Sequence, residues 1–220
     1  MKQQRLFTLA ELLVITIIIC ISASILLGAL SSGVSRAKLL QCAGNLRETG
    51  QAIIFYSSDN CGQIPNVMNN LETSSIPLLR LPDGSVLALG RLINSYTATA
   101  AIFGCPDSPG YDEDAVAAAW ETAPMVWSAY LYRAQCSGFQ AQLAAPENIR
   151  RALVTDFACV TAQGEQFAPH SYQLSNLLFP DTHVESRRNS PEPYKLFTVR
   201  AAKHGSFTPD CTTVWLHADE

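Results

Sequence analysis

The sequence predicts an α+β protein. A long N-terminal helix, transmembrane over its first half, packs its second half on a head built around a mostly antiparallel β-sheet. Three observations carry this. Residues Leu12 to Leu30 (LLVITIIICISASILLGAL) form nineteen positions without a charge. No proline interrupts Ser31 to Ser58, and apolar residues recur there at helical spacing. The remainder alternates short β-leaning runs with turn residues and two short helical stretches, the pattern of α+β folds.

As a helix, residues 12–30 span about 28 Å at ~1.5 Å per residue, close to the hydrocarbon thickness of a bilayer. Lys2 and Arg5 precede the run, and Arg36 and Lys38 follow it. The chain therefore reads as a soluble body on one membrane segment. A cleaved secretory signal would have a shorter apolar stretch and a small-x-small exit, whereas here the stretch is long and Glu11 lies just inside its beginning. A lipoprotein signal needs small residues before its cysteine, yet Cys20 follows Ile17, Ile18 and Ile19. Beyond the membrane run, Leu39, Ala43, Leu46, Gly50 and Ile53 recur at steps of three and four, with Cys42, Leu46, Thr49, Ile53 and Tyr56 as the adjacent row. That period places one apolar face of the helix against the head. Asp59-Asn60-Cys61-Gly62 supplies turn chemistry, and Pro65 prevents a simple restart.

Within the head, residues 59–220, Asn66 to Ser75 reads as loop. Val86 to Tyr96 reads as a short helix with Leu87, Ile93 and Tyr96 inward, and Ala115 to Glu121 as a second helix. Met125 to Arg133, Ala152 to Val160 and Asn176 to Glu185 are β-leaning, and Phe197 to Ala201 and Thr212 to His217 are later strand candidates.

Composition narrows the function. Fifteen Lys and Arg against nineteen Asp and Glu give a net charge of -4, which offers no basic stripe for nucleic acid. No G-x-S-x-G or phosphate-cradling glycine loop occurs, and Ser206 beside His204 is not a triad. Asp156, His170, Asp181 and His183 are residue types that hold divalent metals. Asp181 and His183, two apart, would share a strand face, but the preferred reading is a hairpin whose polar residues bond the turn. Asp107, Asp112, Glu113 and Asp114 lie in a Pro/Gly loop and are hard oxygen ligands of the kind calcium takes. Against that, Asp112 to Asp114 would begin the next helix, where acidic residues suit its dipole, and this bland reading is preferred. No cofactor is expected, with calcium the one exception kept open. The chain has seven cysteines. With Cys20 in the membrane run, Cys42, Cys61, Cys105, Cys136, Cys159 and Cys211 are candidates for disulfides in an oxidising compartment, with free buried thiols as the alternative for each. A Cys42–Cys61 pair is disfavoured, because a helix over 42–58 separates them by more than ~20 Å.

Phe7-Thr8-Leu9-Ala10-Glu11-Leu12-Leu13-Val14 resembles the prepilin N-terminus of type II secretion pseudopilins and type IV pilins. A carboxylate at that depth is costly without a partner. The stretch Cys42-Ala-Gly-Asn45-Leu46, Gly50, Ala52, Tyr56, Asp59-Asn60, Gly62 and Pro65 resembles a pattern of one pseudopilin-like group, abundant in planctomycete and lentisphaere-type bacteria. Ile102-Phe103-Gly104-Cys105-Pro106, Leu153-Val154-Thr155-Asp156, and His170 with Asn176 to Val184 look like further elements of it. Thr182 stands where that group has Gly, which implies a different turn, since Gly tolerates positive φ. The resemblance implies a basic leader over residues 1–6, a transmembrane assembly helix over 7–30, its soluble continuation over 31–58, and a pilin-like head over 59–220. It further implies cleavage between Leu6 and Phe7 by a prepilin peptidase and N-methylation of Phe7, although Leu6 stands where the family has Gly. Glu11 would then pair with the terminal amine of a neighbouring subunit. The implied protein is no enzyme. It is a filament subunit in the bacterial inner membrane, with its head in the periplasm or at the cell surface. Its partners would be copies of itself, other pseudopilins, the inner-membrane secretion machinery and the lipid bilayer. The rival expectation is a membrane-anchored or exported periplasmic binding protein or metal-dependent enzyme using the head's Asp and His residues.

Overall fold

The structure is a computed structural model that describes residues 8–66, 76–133, 141–156, 158–160, 166–167, 170, 174–188, 198–200, 215 and 218–219. The chain divides into two compact units, Met1–Ala37 and Lys38–Glu220. Helix α1 runs Leu9–Asp59 without a break, as the proline-free sequence requires. In the first unit its apolar side chains are exposed, Leu12, Ile18, Ile25 and Leu30 among them. By length and composition this helix could cross a membrane.

In the second unit, α1 buries most of the two rows expected of it, with Leu39 and Tyr56 half-buried at their ends. Cys42, Leu46, Thr49 and Ile53, with neighbouring Ala52, are all at most 2% exposed, and Gly50 packs closely against the sheet at Leu178 and the turn after it. A Cβ there would stand 2.9 Å from Leu178 Cδ1 and 3.2 Å from Thr182 Cγ2. Just past the helix end, Cys61 and Gly62 are left-handed (φ 54° and 82°); Gly62 O then accepts from Leu143 N and Ile64 N donates to Ala141 O, both at 2.9 Å.

A five-stranded antiparallel sheet is the second layer. Its strands are β1 (Ile76–Arg80), β2 (Val126–Tyr132), β3 (Val154–Asp156), β6 (Leu174–Leu178) and β7 (Val184–Arg188), in the order β1-β2-β3-β6-β7. β2 is buried over most of its length because α1 and the loops cover it. A smaller sheet holds β4 (Ala158–Val160), β5 (Gln166–Phe167) and β8 (Thr198–Arg200) in the order β5-β4-β8, with β4 and β8 parallel. The expected single run Ala152 to Val160 is thus two strands in two sheets. The run Asn176 to Glu185 is likewise a hairpin, β6 to β7, closed by a turn at Asp181–Thr182.

Helix α2 (Glu113–Thr122) begins where the acidic residues suggested, with the Asp112 side chain accepting from Ala115 N at 2.9 Å. It has no basic residue in its last turn. Arg80 of β1 takes that role, donating to Trp120 O (2.7 Å) and Ala123 O (2.6 Å) while stacking over the Trp120 ring, which satisfies carbonyls a helix end leaves open. The expected helix at 86–96 is a 3₁₀ turn, Ala88–Leu92, with Leu87 and Ile93 buried and Tyr96 packed on the core.

The expected strand over Thr212 to His217 is corrected: Trp215 and Ala218 are helical, and the other residues of that run lie outside the described ones. Trp215 is fully buried under the guanidinium of Arg133, itself 1% exposed. Asp219 accepts two hydrogen bonds from Arg133 Nη1, at 2.7 and 3.0 Å. A buried charge needs such a partner, so this pair fastens the C-terminal residues to the end of β2.

Candidate functional site

Two places in the molecule carry chemistry. The first is the start of α1. Thr8 Oγ1 accepts from Glu11 N (3.2 Å), and Glu11 Oε2 accepts from Thr8 N (2.8 Å) and Thr8 Oγ1 (2.9 Å). This is a capping box, in which the first and fourth residues satisfy each other's open donors. The sequence signal for it, Thr8-Leu9-Ala10-Glu11 before an apolar run, lies inside the segment that suggested an assembly carboxylate. Glu11 is thus exposed and locally bonded within its own chain. Leu6 and Phe7 lie outside the described residues.

The second place is inside the head. Cys42 projects from the buried row of α1. Cys105 follows the 3₁₀ turn Ala100–Phe103 and its C-cap, Gly104. Gly104 is needed there, since a Cβ would meet the backbone of Asp112 and Glu113 at 2.6 Å. Its carbonyl accepts from Asn45 Nδ2 (3.1 Å) and Tyr130 OH (2.9 Å), so α1 and β2 together fix the loop that presents Cys105. Asp156 ends β3, fully buried; its Oδ1 accepts from Asn176 N at 2.8 Å and from the Ser175 hydroxyl. His170 has a left-handed backbone (φ 56°) and is 7% exposed.

These side chains converge. The two sulfurs and a ring nitrogen of His170 all lie within 4.8 Å of one another. His170 Nε2 stands 3.6 Å from Cys105 Sγ and 3.2 Å from Asp156 Oδ2, and Cys42 Sγ stands 3.6 Å from that same oxygen. Both thiols are free. Asp107 accepts from Lys38 Nζ (3.0 Å) and from His170 N (2.8 Å). Its Oδ2 lies 3.7 Å from His170 Nδ1, a buried nitrogen without a hydrogen-bond partner. Burial works against a charged His170, but the hydrogen bond and charge of Asp156, with Cys42, outweigh it and hold the imidazole up to about 10. Burial, with Cys105 and the Asp156 charge adding to it, pushes the Cys42 thiol well up.

The other candidates separate. Asp181 and His183 are exposed and bond each other across the β6–β7 turn, and the His183 ring stacks on Phe179 with centroids 4.3 Å apart. They do not join Asp156 and His170. Asp112 caps α2 and Asp114 is exposed in its first turn, while Asp107 turns toward Lys38 and His170. Among the described residues, the one group of three or more ligand-type side chains is Cys42, Cys105 and His170. Cys61 is exposed and free; Cys136 and Cys211 lie outside the described residues, and of Cys159 only its place in β4 is described.

Thr182 adopts φ 70° in the position where a Gly was expected. The turn therefore keeps a left-handed residue, contrary to the expectation of a different turn, and a β-branched side chain bears the strain.

No protein-family model, curated protein or solved structure matches the chain.

Proposed function

We infer that the chain is a structural subunit of the pseudopilin or type IV pilin-like kind, assembling through its N-terminal helix into a periplasmic or surface filament of a secretion or pilus-like system. One observation carries the reading: the large apolar side chains from Leu12 to Leu30 are exposed in the single chain, with a carboxylate at the beginning of the run. Such a surface is covered by lipid, by other helices, or by both. A carboxylate retained there in an apolar setting is by default functional. On this reading the prepilin peptidase processes the chain before Phe7, the bilayer stores it, and other subunits receive it. The rival reading, an anchored metal-dependent enzyme, draws no support from the buried cluster. Cys42, Cys105 and Asp156 are all 0% exposed, whereas a catalytic metal keeps a position open to substrate.

The test is assembly in the native membrane, read by chemical cross-linking between copies and by recovery of sheared filaments. Glu11→Ala removes the assembly carboxylate but also half of the capping box, so Thr8→Val serves as its control, removing the cap hydroxyl and keeping the carboxylate. The expected result is loss of cross-linked species for Glu11→Ala and their retention for Thr8→Val, with both chains in the membrane fraction. Equal behaviour of the two variants would reduce Glu11 to a helix cap and overturn the reading.

A further inference from the structure

The geometry points to a structural zinc-type site inside the head, formed by Cys42, Cys105 and His170 with Asp156 as the fourth ligand. It goes beyond the filament reading and does not depend on it.

The donor set comes first. Two thiolates and an imidazole are ligands that select zinc over calcium or magnesium, and a carboxylate completes a four-coordinate shell. Next is spacing. A tetrahedral ion with bonds of about 2.3 Å to sulfur and about 2.0 Å to nitrogen and oxygen sets ligand atoms roughly 3.3–3.8 Å apart. The separations found are 3.6 Å (Cys105 Sγ to His170 Nε2), 3.2 Å (His170 Nε2 to Asp156 Oδ2) and 3.6 Å (Cys42 Sγ to Asp156 Oδ2). These match three of the six edges of such a tetrahedron, and the two sulfurs lie within 4.8 Å of each other, so that Asp156 Oδ2 stands beside the three-ligand group on its Cys42 and His170 side.

The surroundings are those of a held site. Metal-bound histidines donate their other ring N–H to a carboxylate or carbonyl, which fixes the tautomer. With Nε2 turned to the ion, His170 presents Nδ1–H toward Asp107 Oδ2, 3.7 Å away, and this is the buried nitrogen otherwise left without a partner. Asp107 also holds the His170 backbone N–H at 2.8 Å and is itself held by Lys38. Asp156 Oδ1 is taken by Ser175 and Asn176, which leaves Oδ2 facing the cluster. Binding releases the two thiol protons and the proton on His170 Nε2 to solvent, leaving a neutral imidazole that keeps Nδ1–H. Because the ligands come from α1, the loop after the 3₁₀ turn, the end of β3 and the His170 segment, the ion ties helix to sheet. A disulfide between Cys42 and Cys105 is the competing fate of the same sulfurs, and it would leave the Asp156–His170 pair unexplained.

The experiment uses the full chain in detergent, purified with reductant and without chelator. Elemental analysis should find one zinc per chain, and Co²⁺ in its place should give the absorption of a tetrahedral thiolate site. Cys105→Ser should lose the bound metal, Cys61→Ser should keep it, and Asp107→Asn should weaken zinc affinity about 10–100-fold, the effect of losing a ligand's supporting partner. If Cys105→Ser fails to fold, the unmodified chain still decides: a chelator should lower its Tm and added Zn²⁺ should restore it. A reduced chain that takes up no zinc, a Tm indifferent to chelator and zinc, or a Cys42–Cys105 disulfide in protein from the native membrane would each overturn the proposal.

Discussion

Residues 8–37 and residues 38–219 obey opposite rules of burial. In the first region, large apolar side chains from Leu9 to Val34 are exposed. In the second, most of the described residues of these types are buried among one another, Leu40, Phe55 and Ile149 being exposed exceptions, and even polar groups such as Asp156, Arg133 and Asn176 are shielded and partnered. Burial of apolar surface stabilises a fold at roughly 25 cal/mol per Å². The head therefore gains its stability inside the chain, while the N-terminal half of α1 leaves its apolar surface uncovered by the described residues. Such a division is what the proposed filament subunit would need, with an apolar helix free to exchange lipid for other helices.

The sharpest way to break the comparison is to make one kind of truncation in both regions. Phe103→Ala, at a fully buried position, should cost about 3–5 kcal/mol of head stability. Ile18→Ala, at a side chain 58% exposed, should leave the head's unfolding within about 0.5 kcal/mol. Denaturant titration followed by near-UV CD in detergent reads both. Next in size is Asp219→Asn, which leaves the Arg133 guanidinium buried with a weakened partner and should cost about 3 kcal/mol. Proteolysis of the last residues would report the same loosening.

Glycines give a finer contrast. Gly50→Val drives side-chain atoms into Leu178 and Thr182 and should cost about 2 kcal/mol by overpacking. Gly28→Val, with nothing within 4 Å of its added Cβ, should leave the head's melting unchanged. The smallest expected effect is a gain. Thr182→Gly relieves a left-handed β-branched residue and should raise stability by about 1 kcal/mol, seen as an upward shift in Tm of a few degrees.

The sequence made local features legible and long-range ones not. Helix α1 could be read because no proline breaks it and its buried rows repeat at helical spacing. α2 followed from its alanines and from acidic residues at its start. β1 went unread, since Ile76-Pro77-Leu78-Leu79-Arg80 lacks alternation and carries a proline. It is an edge strand with an irregular register, the position where proline is tolerated. The hairpin β6–β7 is legible from Asp181 and His183, whose polar groups bond its turn as expected, although hydropathy alone shows residues 176–185 as a single β-leaning run. The clasp of Trp215 and Asp219 on Arg133 had no local signal at all. In the buried cluster, Asp156 and His170 were recognised as ligand types and Cys42 and Cys105 as disulfide candidates. Asp156 and His170 stand 14 residues apart, but the cysteines join them through pairings of 65 and 114 residues, which no motif spacing records. At Glu11 the difficulty was the reverse: one short motif encodes both a helix cap and an assembly carboxylate.

The most direct test of the filament reading is the N-terminal residue and intact mass of the protein taken from its native membrane. The account predicts a chain that starts at an N-methylated Phe7, processed despite the Leu6 before it. A chain that starts beyond residue 30, with the apolar half of α1 removed, would contradict it.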